Sequence, residues 1–420
     1  MAGRVLHVLS QRPLRTGSGI TLDALVRNAH QAGWEQWAAV GTPLSDPEPP
    51  VGGLPATRVR PLRFGSGPLP FALPGMSDVM PYESSRFSAL NGDELAAYRQ
   101  AWADHLRALC AEVRPDVIHV HHVWLVSSLL KDVAQAVPVV NHCHATGLRQ
   151  MDLCPRLADE VRAGAARNER FVVLHAEHRD RLAQCLQLGS ERVVEVGAGY
   201  RDDLFHPRGR RHGGSADLVY VGKLSFAKGL PQLLDAFERL ELVQRAGWGR
   251  LPGLARPVRL HVVGSGAGPE AAELRERIAS LAPSVIGHGS LDQPALADLL
   301  RQSAVCALPS FYEGLPLVLV EAIACGCRVV ATALSGVMRE LVPRLGSAIE
   351  VVPLPRLVGP DTPLAADLPQ FVGDLTAALR RAAQAAASVS AGEPDESALA
   401  HFTWPAVFRR VERVWQSVMR

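Results

Sequence analysis

The 420-residue sequence lacks any long apolar run, and this absence limits how the chain could meet a membrane. A helix needs about 20 consecutive apolar residues to cross a bilayer, and no stretch approaches that length. The first residues, Met1 to Arg4, lead directly into the apolar run Val5 to Leu9, which predicts a strand and not the hydrophobic segment of a signal peptide. We therefore expect a cytoplasmic protein without a transmembrane segment.

An excess of charge and a regular cysteine pattern are also missing. The 44 Lys and Arg residues nearly balance 42 Asp and Glu residues, for a net charge of +2, so the composition gives no reason to expect a nucleic-acid partner. The seven cysteines form no pair of Cys-x-x-Cys motifs, and Cys325 and Cys327 lie too close in sequence for a zinc site. Reduced, mostly buried thiols are predicted.

The length and the alternation of patterns predict two domains. Strand-like apolar runs alternate with helical patterns in both halves of the chain, which is typical of doubly wound α/β domains. The segment Arg208 to Ser215 is short, polar and glycine-bearing, which is the composition of a linker. We predict a first domain over 1–208, a second over 209–402, and an amphipathic terminal helix over 403–420. The apolar face of that helix consists of Val407, Val411, Val414, Trp415 and Val418.

Two carboxylates in the second half have a spacing that indicates a site. Glu313 and Glu321 have seven residues between them, after a predicted strand at Ala304 to Leu308. A helix is predicted over Leu317 to Cys325, so Glu313 would lie on the loop and Glu321 within the helix. The unpaired N–H groups at a helix N-terminus favour a phosphate. Taken alone, the spacing fits equally well a loop glutamate and a helix-face glutamate without function.

A lysine-bearing loop precedes this segment. It follows the predicted strand Leu218 to Val221, runs from Gly222 to Gly229, and leads into a predicted helix over Leu230 to Leu240. Lys223 and Lys228 would bring two positive charges to a helix N-terminus, an arrangement that suits a diphosphate. Such lysines are otherwise simply solvated.

The first half contains a similar strand, loop and helix. The predicted strand Val5 to Leu9 is followed by Gly17-Ser18-Gly19 and a predicted helix over Ile20 to Ala32. Glycine lets a ligand approach the backbone closely, but a tight turn into a helix needs glycine for its own reasons.

Histidines end two of the predicted strands in the first half. They are His121 and His122 after one strand, and His142 and His144 after the next. In open α/β sheets ligands bind at the carboxyl ends of the strands, so all four are candidates for a site. A metal site is conceivable, but no Asp or Glu accompanies them at a regular spacing, and a purely structural role also fits.

The stretch from 42 to 90 is rich in Pro, Gly and Ser, with scattered aromatic residues. Long loops in compact domains are usually functional or disordered, so we expect either an acceptor-facing insertion or a flexible surface excursion. A second glycine run, Gly264 to Gly268, follows the predicted strand at Leu260 and by itself could pass for a dinucleotide-binding fingerprint. The next strand-like run, Ser284 to Gly287, is followed by His288 and not by the acidic residue that such a fingerprint requires.

The paired glutamates and the lysine loop resemble the retaining nucleotide-sugar glycosyltransferases of the GT-B fold, specifically family 4 (group 1). The resemblance implies two Rossmann-like domains facing each other across a cleft, with the terminal helix crossing back to the first domain. It implies transfer of a sugar from a nucleoside-diphosphate donor to an acceptor hydroxyl held by the first domain, by attack on the face that the diphosphate leaves. The acceptor could be a small molecule, a glycan or a lipid-linked sugar. No Asp-x-Asp pair is placed to hold a divalent ion, so no metal and no cofactor are expected.

The resemblance also implies roles for individual residues. Glu313 would contact the donor sugar, Glu321 the ribose hydroxyls, and Lys223 and Lys228 the diphosphate. Lys223 stands where the family more commonly has arginine, which replaces a bidentate contact by a single ammonium. The backbone after Glu313 would complete the diphosphate site, over Gly314, Leu315, Pro316 and Leu317.

Three further contacts follow from the same resemblance. The segment His144-Ala-Thr-Gly is similar to a His-Gly-Thr segment of the family, whose histidine hydrogen-bonds the donor sugar near the reacting carbon. Gly19 would face the diphosphate, and Ser290 and Leu291 would contact the base. His144, Glu313, Lys223 and Lys228 are thus the expected catalytic residues.

Other classes remain open at this point. A sugar-nucleotide epimerase of the same fold would use a similar donor site. An NAD-type oxidoreductase would use Gly264 to Gly268 for its dinucleotide, and a non-catalytic GT-B scaffold would keep the fold without the donor contacts.

Overall fold

A computed structural model describes residues 2–14, 16–46, 48–77, 80–144, 146–210, 217–245, 258–387 and 395–419. The chain divides into two compact units, one formed by Met1–Gly199 with Trp404–Arg420 and the other by Tyr200–Thr403. Most of the predicted linker, 211–215, lies outside the described residues.

The first unit is built on a parallel sheet. Among its described residues, seven strands pair in the order β3-β2-β1-β6-β7-β8-β9, and β4 pairs only with β5. The bounds are β1 Arg4–Leu9, β2 Glu35–Pro43, β3 Val59–Phe64, β4 Pro74–Gly75, β5 Ser85–Arg86, β6 Val117–His121, β7 Val139–Cys143, β8 Arg170–Val173 and β9 Val193–Glu195. Every residue of β6 and β7 is buried, as expected for central parallel strands with helices on both faces.

Helices connect these strands and cover the sheet. They are α1 Gly17–Gln31, α2 Gly92–Val113, α3 Leu125–Val133, α4 Thr146–Leu153, α5 Ala158–Ala165 and α6 Ala176–Leu186. A capping box starts α2, because the Asn91 side chain accepts from the Glu94 N–H at 2.9 Å and Glu94 accepts from the Asn91 N–H at 2.8 Å. Such a cap stabilises a helix by about 1 kcal/mol.

The Pro-rich stretch from 42 to 90 is not a surface excursion. It contains β3, which pairs with β2 at the edge of the sheet. Its apolar side chains Phe64, Leu69, Leu73 and Phe87 are each 1% exposed and belong to the hydrophobic core of the first unit. The sequence expectation of a flexible excursion is therefore wrong, because the apolar residues between the prolines pack against α2.

The second unit contains another parallel sheet. Its described strands pair in the order β12-β11-β10-β13-β14-β15. The bounds are β10 Leu218–Val221, β11 Leu260–Val263, β12 Val285–Gly289, β13 Val305–Leu308, β14 Arg328–Thr332 and β15 Ile349–Val352. The helices are α7 Leu230–Arg245, α8 Pro269–Ser280, α9 Gln293–Gln302, α10 Leu317–Ala324, α11 Val342–Leu345, α12 Leu368–Ala387 and α13 Glu396–Ala400.

The last helix, α14 (Trp404–Val418), belongs to the first unit. Val407, Val411 and Trp415 are fully buried, so the apolar face predicted from the sequence packs inward. The indole N–H of Trp34, which lies just before β2, donates to Glu412 Oε1 of α14 at 2.8 Å.

No helix in the described part of the chain is long and apolar enough to cross a bilayer. All seven cysteines are free thiols, and five of them are buried, namely Cys143, Cys154, Cys306, Cys325 and Cys327.

Candidate active site

The lysine loop and the glutamate loop meet at the carboxyl ends of two neighbouring strands. β10 pairs with β13 in the second sheet, so the loops that follow them leave the sheet side by side. The N–H of Phe311 donates to Ala227 O at 2.9 Å. Gly229 has φ +67°, and a Cβ at this position would lie 2.0 Å from Pro309 O. Only glycine allows the two loops to come this close.

This contact pairs two of the predicted catalytic residues. Lys228 Nζ lies 2.6 Å from Glu313 Oε1 and also donates to Tyr312 O at 3.2 Å. The two charged side chains are only 21% and 19% exposed. Lys228 is therefore held in place by two acceptors, with a third ammonium hydrogen available for an anion.

A further residue, Ser310, for which the sequence indicated no role, holds the same carboxylate. Its buried hydroxyl donates to Glu313 Oε1 at 3.0 Å. Lys228 and Ser310 thus meet one oxygen of Glu313, and Oε2 is the oxygen that neither of them engages. A signal existed in the sequence, since Ser310 stands two residues after the end of the strand at Leu308 and three residues before Glu313.

The helix after Glu313 begins as predicted. α10 starts at Leu317, with Pro316 before it at the N-cap position. Pro316 has no N–H, so of the four positions expected to offer backbone donors only Gly314, Leu315 and Leu317 can do so. Pro316 therefore adds no backbone donor, and its expected place in the diphosphate site stays a prediction.

Glu321 lies four residues into α10 and is half-buried. Burial raises the pKa of its carboxyl to about 7. A carboxyl group with so strongly raised a pKa is frequent at functional sites, because the cost of burying a charge is rarely maintained without use.

Lys223 differs from Lys228 in its surroundings. Its side chain is exposed, while its backbone carbonyl accepts from the buried Tyr220 hydroxyl at 2.6 Å. The backbone of Lys223 is thus fixed at the end of β10, and the ammonium extends from a fixed point.

The predicted base contacts lie on the loop after β12. Ser290 is exposed, and its hydroxyl donates to Ser265 Oγ at 3.0 Å. Ser265 belongs to the glycine run after β11. In that run Gly264 has φ +139°, and a Cβ there would lie 1.8 Å from Gly222 O. Close packing of the β10 and β11 ends therefore accounts for Gly264 without a dinucleotide.

In the first unit, α1 begins at Gly17, three residues earlier than the sequence indicated. Thr16 caps it by accepting from the Gly19 N–H at 3.2 Å. A Cβ on Gly19 would lie 2.6 Å from Leu14 N, whereas Gly17 faces open space. Gly19 is thus required by the close approach of its own loop, and its predicted contact with a diphosphate stays a prediction.

A chain of hydrogen bonds joins this turn to the segment containing His144. Ser18 Oγ donates to Gln11 Oε1 at 3.2 Å, and His122 Nε2 lies 3.1 Å from the same oxygen. Thr146 Oγ1 lies 3.0 Å from His122 Nδ1 and donates to His144 O at 2.7 Å. His122 adopts φ +74°, a strained value for a non-glycine residue and one that occurs preferentially at functional sites.

The His144 ring lies at the edge of a group of buried histidines. It stacks on His142 with ring centres 4.3 Å apart and an interplanar angle of 4°. His144 Nε2 lies 3.0 Å from His121 Nδ1. Burial, together with neighbouring His142, lowers the pKa of His144 well below its usual value. His144 is therefore neutral near pH 7 and offers a hydrogen bond, not a positive charge.

Ring nitrogens of His119, His121 and His142 come within 4.8 Å of one another, close enough for three histidines to share a metal ion. An indole N–H only donates, so Trp415 Nε1, at 2.8 Å, requires His119 Nδ1 to be unprotonated. Neutral His119 then carries its proton on Nε2 and donates to His142 Nδ1 at 3.3 Å. Binding a metal through His119 Nε2 would move that proton to Nδ1, against the Trp415 N–H. The arrangement fits a hydrogen-bonded chain better than a metal site.

Solved structures with the same architecture place this fold in a known class. Sucrose-phosphate synthase from Thermosynechococcus elongatus superposes with a TM-score of 0.72 at 18% identity, covering 99% of this chain and 98% of that one. HepE from Anabaena, solved in complex with UDP and glucose, has a TM-score of 0.61 at 16% identity, covering 99% and 100%. The chain has the two-domain α/β GT-B fold, as the sequence predicted.

Family comparisons narrow this class. The family model for glycosyl transferases group 1 matches residues 215–353, and that for the glycosyl transferase 4-like domain matches residues 16–199. The chain belongs to the group 1 glycosyltransferases. Among curated relatives, glycogen synthase from Mycobacterium tuberculosis is 28% identical over 234 residues, which is 53% of each chain. The chain thus spans about half the length of the curated relatives it matches.

Proposed function

We propose that this protein is a retaining glycosyltransferase that moves a sugar from a nucleoside diphosphate to an acceptor hydroxyl without a metal ion. The observation that carries the proposal is the contact of Lys228 and Ser310 with one oxygen of Glu313, at the carboxyl ends of β10 and β13. Family membership supports the reaction type. HepE, which shares the fold, was solved with UDP and glucose, so UDP-glucose is a suitable first donor to test.

The donor diphosphate would be held by positive charge and by backbone. Lys228 is oriented by Glu313 and Tyr312 O, and Lys223 extends from the end of β10. The N-terminus of α10 adds its unpaired N–H groups and the positive end of its dipole. These groups are in place before the donor arrives, so they stabilise the leaving diphosphate without reorganisation.

The two glutamates would have different roles. Glu313 Oε2 would accept from a hydroxyl of the donor sugar, while Oε1 stays with Lys228 and Ser310. Glu321 would accept from the ribose hydroxyls. The first contact is near the reacting carbon and can strengthen as positive charge develops there, whereas the ribose does not change during the reaction.

The chemistry then needs no residue that attacks the sugar. The bond from the anomeric carbon to the diphosphate oxygen breaks as that carbon becomes oxocarbenium-like. The acceptor oxygen attacks on the same face, and its proton goes to an oxygen of the departing diphosphate. Lys223, Lys228 and α10 would offset the negative charge that a divalent ion offsets in other enzymes.

The alternatives left open by the sequence have weaker support. Gly264 and Gly268 fit a dinucleotide site poorly, since the close approach of Gly264 to Gly222 O already accounts for the first glycine. A scaffold without activity would not need an oriented Lys228 and Glu313. An epimerase of the same fold would use the same donor contacts and differs only in its product.

The proposal is tested by incubating the protein with a panel of nucleotide sugars, in the presence of a chelator, and measuring release of the nucleoside diphosphate. Hydrolysis or transfer with one donor is expected, with retention of anomeric configuration. Lys228→Ala should lower kcat/KM by about 30-fold or more, as for loss of one preorganised charge contact. An epimerised sugar nucleotide, or full activity of Lys228→Ala, would contradict the proposal.

A further inference from the structure

His121, one of the four histidines at strand ends that are candidates for a site, has no individual role assigned so far and is the hydrogen-bond partner of the His144 ring. It lies at the end of β6, is 1% exposed, and its Nδ1 is 3.0 Å from His144 Nε2. β6 and β7 are paired, with His121 opposite His142, so the sheet places the His121 ring beside β7. His144 follows the end of β7 directly. Both rings are neutral, because burial lowers the pKa of each.

A hydrogen bond between two neutral imidazoles needs one donor and one acceptor. Either His121 Nδ1–H donates to His144 Nε2, or His144 Nε2–H donates to His121 Nδ1. The first arrangement leaves His121 Nε2 as a bare acceptor and puts the His144 proton on Nδ1. The second makes His121 Nε2 an N–H group, and that nitrogen is buried with no partner among the described residues.

The neighbouring ring decides between them. Trp415 fixes the proton of His119 on Nε2, His119 donates to His142 Nδ1, and His142 therefore carries its proton on Nε2. His142 Nε2 is also buried without a partner among the described residues. The His121 and His142 rings stack with centres 5.6 Å apart at 10°. A bare Nε2 on His121 avoids a second buried N–H group without a partner beside that of His142, and buried N–H groups are left unpaired less often than acceptors are.

We propose that His121 is a positioning residue that holds His144 in the tautomer with its proton on Nδ1. In the role that the family resemblance implies for His144, this N–H would donate to an oxygen of the donor sugar, and the stack with His142 keeps the ring plane fixed. This role rests on the proposed function for its consequence in catalysis, but the tautomer itself does not depend on any activity.

The tautomer is tested directly in the wild-type protein. With ¹⁵N-labelled histidine, nitrogen resonances separate protonated from bare ring nitrogens, and those of His144 are assigned by their loss in His144→Asn. We expect a protonated Nδ1 and a bare Nε2 near pH 7.5. The reverse pattern would overturn the proposal. If the expected pattern is found and no nucleotide sugar is turned over, the proposed function fails while the tautomer assignment stands.

Two substitutions of His121 test its positioning role. The amide nitrogen of Asn lies close to the place of a histidine Nδ1, and that of Gln close to the place of Nε2. His121→Asn should therefore keep the donor to His144 and retain kcat within about threefold, whereas His121→Gln should lower kcat at least tenfold with little change in KM. The NMR pattern of His144 should persist only in His121→Asn. Equal kcat values and equal His144 spectra for the two variants would overturn the proposal.

A control separates this effect from general loss of packing. His105 on α2 also makes one hydrogen bond through a ring nitrogen, 3.1 Å from Arg60 O. His105→Leu should leave the His144 resonances and kcat unchanged. If His105→Leu lowers kcat as much as His121→Gln does, the effect of His121 is structural and the proposal is wrong.

Discussion

Replacing Glu313 by glutamine removes its charge and keeps its shape, which makes it a sharp test of the donor site. The amide oxygen of Gln can still accept from Lys228 and Ser310, now at 2.6 Å and 3.0 Å from Glu313 Oε1. The ion pair is lost, so Lys228 is held less firmly and its charge is no longer partly neutralised. The contact with the sugar near the reacting carbon should therefore weaken, while the binding of the diphosphate should become tighter.

The magnitudes follow from the exposure of the pair. Loss of one preorganised contact to the reacting sugar costs about 2–4 kcal/mol, so kcat should fall by about 30-fold to 900-fold. Exposed ion pairs contribute about 0–1 kcal/mol, and breaking a buried pair costs about 3–5 kcal/mol. With side chains 21% and 19% exposed, an intermediate coupling is expected. Release of Lys228 from its partner should tighten nucleoside diphosphate binding by about 1 kcal/mol, or about fivefold.

Steady-state kinetics and calorimetric titration with nucleoside diphosphate measure the two effects separately. Glu350→Gln is the matched control, since Glu350 on β15 is paired with Arg381 at 2.9 Å and is also half-buried. It should change neither kcat nor the dissociation constant. The reasoning is refuted if Glu313→Gln loses nucleoside diphosphate binding and keeps kcat, because Glu313 would then hold the nucleotide and not the sugar.

Four further predictions concern other features of the protein. Glu321→Gln should raise the dissociation constant of nucleoside diphosphate and the donor KM more than it lowers kcat, and unchanged titration curves would contradict the ribose contact. Burial raises the folded-state pKa of Glu321 from 4.5 to about 7. The free energy of unfolding of the wild type therefore falls as the pH rises from 4.5 to 7, because the unfolded chain ionises this carboxyl more readily. The free energy of unfolding of the same variant should therefore be about 1–3 kcal/mol higher than that of the wild type at pH 8. In urea titrations this gain should vanish as the pH falls toward 4.5. Turnover should survive excess chelator, and a strict need for added magnesium or manganese in the same assay would refute metal independence. Gly19→Ala should lower the free energy of unfolding by about 1–3 kcal/mol, because its Cβ would meet Leu14 N at 2.6 Å, while Gly17→Ala should be tolerated in the same denaturant titration.

Part of the fold could be predicted from local pattern alone. The strand β10, Leu218–Val221, lies where the apolar run indicated, β13 begins at Val305, one residue after the predicted start, and α10 begins at Leu317 as expected. Central parallel strands are buried on both faces and therefore appear in the sequence as continuous apolar runs. The apolar residues of the stretch from 42 to 90 are separated by prolines and glycines, so only their packing shows that they belong to the core and do not form a flexible excursion. An acceptor-facing role for this stretch stays a prediction.

The residues of the candidate site could likewise be predicted only in part from the sequence. Residue type and spacing indicated Glu313 and Lys228, since charge belongs to the side chains themselves, and the family resemblance singled out His144 among the four histidines at the strand ends. Their roles stay predictions.

The sequence by itself determined which chemical groups follow which strands, because strand and loop order is a property of the chain. Only the tertiary structure decided which groups meet. Trp415 reaches His119 from 296 residues away, and Lys228 is held by Glu313 from 85 residues away. The physical reason is that periodicity and propensity act over a few residues, whereas these contacts depend on the order of strands in the sheets and on the packing of the last helix.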